Sequence, residues 1–103
     1  MNLIVQKYGG SSVADVERMR SVAEKISNKV REGYKVIVVV SAMGKTTDQL
    51  IELAKSVSKE PDPREMDMLL TTGEQISAAL LSIRLRDMGI RSKSFNAFQM
   101  GIK

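Results

Sequence analysis

Five consecutive β-branched residues, Val36-Ile37-Val38-Val39-Val40, constrain this chain more than any other feature. Branching at Cβ restricts χ1 and favours extended backbone, and no polar residue interrupts the run, so it predicts a strand covered on both faces. A shorter apolar run, Leu3-Ile4-Val5, stands near the amino terminus and reads the same way. Between them Val13, Val16, Met19, Val22, Ala23, Ile26 and Val30 recur every three or four residues, which predicts an amphipathic helix closed by Gly33. Ser12 and Asp15 have capping-box spacing at its start. Strand, helix, strand over this length makes a right-handed crossover with parallel strands the default. Both strands then end at one edge of the sheet, where open α/β sheets bind ligands.

Two loops converge at that edge. The first, Lys7-Tyr8-Gly9-Gly10-Ser11-Ser12, joins a strand end to a helix start through two adjacent glycines. Glycines admit positive φ and close approach of a ligand to the backbone, a helix start offers unpaired N–H groups, and Lys7 adds a mobile cation. A phosphate chain is the simplest occupant. A plain turn with a solvated lysine is the other reading of the same residues. The second loop, Ser41-Ala42-Met43-Gly44-Lys45-Thr46-Thr47, leads into a helix patterned by Leu50, Leu53, Ala54 and Val57. Its Gly44-Lys45-Thr46 is not the end of a P-loop, because that motif needs glycine at position 39, where the chain has Val39. Ser41 and Thr47 are candidates to meet a polar ligand, and Thr46 or Thr47 equally suits an ordinary helix cap.

Farther on, Asp62, Pro63 and Glu65 read as N-cap, N1 and N3 of a short helix carrying Met66, Leu69 and Leu70. Thr71-Thr72-Gly73-Glu74-Gln75 then restarts the chain into a helix patterned by Ile76, Ala79, Leu80 and Ile83 and closed by Gly89. With Thr72 as cap, Glu74 falls in the first turn, where the helix dipole favours an anion. Ile90 to Phe95 reads as a third, more polar strand near an edge.

Composition narrows the chemistry. There is no cysteine and no histidine, so disulfides, thiolate metal sites and imidazole bases are excluded, leaving Lys, Asp, Glu, hydroxyls and backbone. The net charge of +4 is spread over helical patterns and interleaved with acids (Glu17, Arg18, Arg20, Glu24, Lys25), and with four aromatics this argues against nucleic-acid binding. Neither a signal peptide nor a membrane-spanning run is present, and the expected compartment is the cytoplasm.

Three stretches in order resemble the motifs of one family. KYGGSSV is similar to the KFGGTSV opening of the aspartokinases, members of the amino acid kinase family, and VVSAMGKTTDQL and LLTTGEQIS resemble that family's next two motifs. Tyr8 and Ser11 stand where Phe and Thr are common. The resemblance implies a three-layer αβα fold with a mostly parallel open sheet, of which residues 1–103 form the amino-terminal portion of the catalytic domain, on the amino-acid-substrate side. It implies transfer of the ATP γ-phosphoryl group to the side-chain carboxylate of L-aspartate with Mg²⁺ on the nucleotide, the first step of aspartate-family amino acid biosynthesis (lysine, threonine, methionine), in a homo-oligomer. By similarity, Lys7 with Tyr8, Gly9, Gly10 and Ser11 would hold the ATP phosphates, Lys7 being catalytic. Ser41, Thr47 and Glu74 would hold aspartate, Glu74 pairing with its ammonium. A carboxylate nucleophile is already ionised at neutral pH, so the lack of histidine is no obstacle. The adenine site and regulatory region would lie beyond Lys103, which predicts no turnover from these residues alone. The SAMGKTTDQL and TTGEQ pair speaks against relatives acting on acetylglutamate, glutamate, carbamate or UMP. A non-catalytic fragment that binds phosphate or a partner is the alternative from another class.

Overall fold

The computed structural model describes residues 2–95 as an α/β fold, with β1 (Leu3–Tyr8), α1 (Val16–Arg31), β2 (Lys35–Val40), α2 (Thr46–Val57) and α3 (Pro63–Asp87) in chain order. The two strands are parallel and in register from Leu3 opposite Lys35 to Tyr8 opposite Val40. The predicted parallel pairing across a helix is therefore present. One more bond, from the Ser41 N–H to the Tyr8 carbonyl at 3.1 Å, carries the pairing past the strand ends.

Packing follows the sequence pattern of α1. Met19, Val22, Ala23 and Ile26 are buried and meet Val13, Val40, Leu81 and Leu85 in one cluster, with Tyr8, Val36 and Val38 packed against it. Burial contributes about 1.5–3 kcal/mol for each of the larger side chains. Helices α1 and α3 both pack on β2 and on each other, so they share one face of the sheet. The opposite face is uncovered among the described residues. Leu3 (60%), Val5 (64%), Ile37 (42%) and Val39 (48%) remain exposed there, so the two-sided covering predicted for the strands is met on one side only.

Several boundaries differ from the expectation. Helix α1 begins at Val16, not near Val13, because the Asp15 carboxylate accepts the Arg18 N–H at 2.8 Å and is itself the cap. Helix α2 has no side-chain cap: Lys45 holds the N-cap position and Thr46 and Thr47 lie in the first turn. The largest difference is α3, one unbroken helix of 25 residues where two were expected. The Thr71 and Thr72 hydroxyls donate to the Met68 and Leu69 carbonyls at 2.7 and 2.6 Å, bonding back along the helix instead of capping a new one. Asp62 does cap its start as predicted, accepting the Glu65 N–H at 3.1 Å ahead of Pro63.

The buried stripe of α3 is Gly73, Ser77, Leu81 and Leu85, whereas Ile76, Leu80 and Ile83, predicted to be its core face, are exposed. Ile90 to Phe95 forms no strand. Its residues instead line an open, largely apolar groove of about 1010 Å³ along the free edge of β2, with Ile26, Val30, Ala78 and Leu85 among the other walls. Asn96-Ala97-Phe98-Gln99-Met100-Gly101-Ile102, which resembles the family's loop after this stretch, lies outside the described residues.

Candidate active site

The candidate residues cluster at the carboxyl edge of the sheet, as the crossover requires, but the parts are held differently from the reading by motif. Lys7 ends the exposed side of β1, on the face shared with Val5 and Val39, and no ion pair engages it among the described residues. Its neighbour Tyr8 points the opposite way, into the core cluster, and its phenol donates to Gln6 Oε1 at 3.1 Å. Burial pushes that phenol up from its ordinary value. The Tyr8 side chain is thus a packing group, and only its backbone remains a candidate to meet a phosphate.

Gly9 and Gly10 do not adopt positive φ. The value of Gly9 lies in open space: nothing stands within 4 Å of a Cβ placed there. The Ser12 N–H turns back to the Gly9 carbonyl at 3.1 Å. The N–H groups of Gly10 and Ser11 have no partner among the described residues. Arg18, assigned by sequence only to the solvated face of α1, donates to the Ser11 carbonyl at 2.9 Å and braces the loop from the helix side. Because α1 starts at Val16, its dipole end stands six residues beyond Gly10, and the loop's own backbone is the nearer donor set.

The second loop is locked to the first by close backbone contacts. Gly44 has φ +39°, and a Cβ there would stand 2.9 Å from the Ala14 carbonyl oxygen. Ala42 is buried beneath Gly10, whose own Cβ would lie 3.4 Å from the Ala42 carbonyl oxygen. Ser41 is half-buried at the end of β2, and Thr47 is exposed in the first turn of α2. Glu74 is exposed in the middle of α3, twelve residues into the helix, so the dipole at a helix start does not account for it. No hydrogen bond or ion pair joins the side chains of Lys7, Ser41, Thr47 and Glu74 among the described residues; the fold brings their segments together and leaves the polar tips open. The open groove along β2 contains none of them.

Sequence reasoning missed Arg18, Ala42 and Gly73 as parts of this arrangement. A glycine inside a helical pattern is a signal of close packing, and Gly73 was read instead as a chain restart.

Comparison with known proteins gives a consistent result. The sequence model described as "Amino acid kinase family" matches residues 2–103. The aspartokinase of Mycolicibacterium smegmatis is 57% identical over 102 residues, which cover 99% of this chain and 24% of that protein. Those of Geobacillus stearothermophilus and Thermus thermophilus are 53% and 56% identical, each with 25% of its length covered. The crystal structure of aspartate kinase from Synechocystis superposes with a TM-score of 0.80 at 57% identity, over 84% of this chain and 15% of that one. The chain spans about a quarter of the length of the curated relatives it matches.

Proposed function

Because the chain belongs to the amino acid kinase family, we propose that it forms the amino-acid-substrate side of an aspartate kinase, which transfers the γ-phosphoryl group of ATP to the β-carboxylate of L-aspartate. The observation that carries this reading is the meeting of two unrelated loops at one sheet edge, joined at Tyr8–Ser41 and Gly44–Ala14, in a chain 53–57% identical to aspartokinases.

In this reading the open backbone at Gly9 and the N–H groups of Gly10 and Ser11, without partners among the described residues, hold phosphate oxygens, with Arg18 keeping Ser11 in place. Lys7 neutralises charge on the transferring group, and the aspartate carboxylate attacks phosphorus without needing a base. Ser41 and Thr47 supply hydroxyl contacts to aspartate, and the Glu74 carboxylate accepts from its ammonium. Mg²⁺ in this reading would come bound to the nucleotide's own phosphates and would spread their charge. No helix among the described residues is long and apolar enough to cross a membrane. The reading places the reaction in the cytoplasm, in a homo-oligomer, at the entry to lysine, threonine and methionine synthesis.

The test is aspartate-dependent ADP release by the full natural polypeptide, with Lys7→Ala beside it. The variant is expected to lose ~10² or more in kcat with a smaller change in aspartate KM. Near-normal kcat would remove Lys7 from the catalytic role, and absence of aspartate dependence in the wild type would remove the function.

A further inference from the structure

The three segments of the candidate site meet at a residue that is none of its predicted ligands. Ala42, 6% exposed, lies between them. Its carbonyl is turned to Gly10, and its Cβ is turned to Gly73 of α3. A Cβ on Gly73 would stand 2.9 Å from Ala42 Cβ, 3.3 Å from Thr46 Cγ2 and 3.5 Å from Leu50 Cδ1. Carbon atoms do not pack at 2.9 Å, and Ala42 Cβ is fixed to the backbone with no torsion by which to move aside. Helix formation gives no reason for glycine here, since mid-helix glycine costs ~0.5–1 kcal/mol relative to alanine. Close approach does. The next buried position of the same stripe, Ser77, is fully buried and lies over Gly73, with its hydroxyl 3.4 Å from the Gly73 carbonyl.

We propose that Gly73 is a positioning residue for the acceptor substrate: it seats α3 directly on Ala42 and the first turn of α2, and so fixes where Glu74 stands relative to Ser41 and Thr47. The proposal rests on the aspartate reading given above. Any side chain at position 73 moves α3 away from the second loop by some tenths of an ångström or more, and Glu74, the next residue, moves with it. The atoms nearest a side chain at position 73 belong to Ala42, Thr46 and Leu50 and not to the Lys7 and Gly9–Gly10 loop, so the loss falls mainly on the amino acid and much less on the nucleotide.

In the full natural polypeptide, Gly73→Ala is expected to raise aspartate KM by roughly tenfold while ATP KM changes by less than about twofold. Ala42→Gly removes the opposing atom, so Gly73→Ala with Ala42→Gly should recover most of the aspartate KM, judged against Ala42→Gly alone. Should Gly73→Ala not fold, Ala42→Ser enlarges the same contact from the other side and is expected to give the same selective rise. Unchanged aspartate KM, or equal losses for both substrates with no recovery in the pair, overturns the proposal. Thermal unfolding of the same variants separates packing from positioning. Recovery of Tm in the pair without recovery of KM makes Gly73 a packing residue only, and overturns it too. A wild type with no aspartate dependence removes the reading beneath it, and that result is visible before any variant is compared.

Discussion

Glu74 shows how much a single residue's surroundings decide about its role. Read by motif it sat at a helix start, where a carboxylate needs no ligand to explain it. In the structure it lies in mid-helix, exposed and without an ion pair among the described residues, and the structural explanation falls away. Glu74→Gln is therefore expected to raise aspartate KM by ~10-fold or more with ATP KM nearly unchanged and Tm within about 1 °C, because a charge-assisted contact becomes a neutral one. Steady-state kinetics beside thermal unfolding checks this, and a drop in Tm with equal loss for both substrates would return Glu74 to the fold. Ser27 presents the opposite case. Its hydroxyl is fully buried in α1 with no hydrogen-bond partner among the described residues. Ser27→Ala removes a desolvated donor and improves helix propensity, and should stabilise the protein by about 1 kcal/mol in denaturant unfolding. The types and order of the candidate site residues were legible in the sequence; Arg18, Ala42 and Gly73 were not, because their contribution is one of contact and not of chemistry.

Among the elements, β1 and β2 were legible because each is an uninterrupted apolar run, and α1 because it carries one helical period and one apolar side. Helix α3 was not, because it carries two. Ile76, Ala79, Leu80 and Ile83 form a helical stripe as regular as Gly73, Ser77, Leu81 and Leu85, and hydropathy favours the first. Packing selects the second, since small residues let the helix lie close to the second loop, and Leu81 and Leu85 fill the wider gap over α1 and β2. Ile90 to Phe95 alternates as a strand should, but pairing depends on a neighbour that no local pattern can supply. The joint between the two loops is testable at this scale. Gly44→Ala would require a left-handed φ at a β-carbon and a 2.9 Å contact with the Ala14 carbonyl, so it should destabilise by ~2 kcal/mol or more. Denaturant unfolding reads the loss. An unchanged midpoint would show that the loops move apart freely.

At the scale of the whole molecule the described residues leave two apolar surfaces open, the Leu3, Val5, Ile37, Val39 face of the sheet and the Ile76, Leu80, Ile83 side of α3. Contiguous surfaces of this kind, beside the free edge of β2, favour association. Residues 1–103 expressed alone should elute from size-exclusion chromatography with a light-scattering mass above one chain, and a monodisperse monomer would contradict this. The parallel register has a consequence in time. Leu3 can pair with Lys35 only after the 31 intervening residues have been made; at ~5–20 residues per second, β1 is made a few seconds before its partner exists. Helix α1 is made before β2, so the partner that completes this sheet is the last of the three elements to be synthesised.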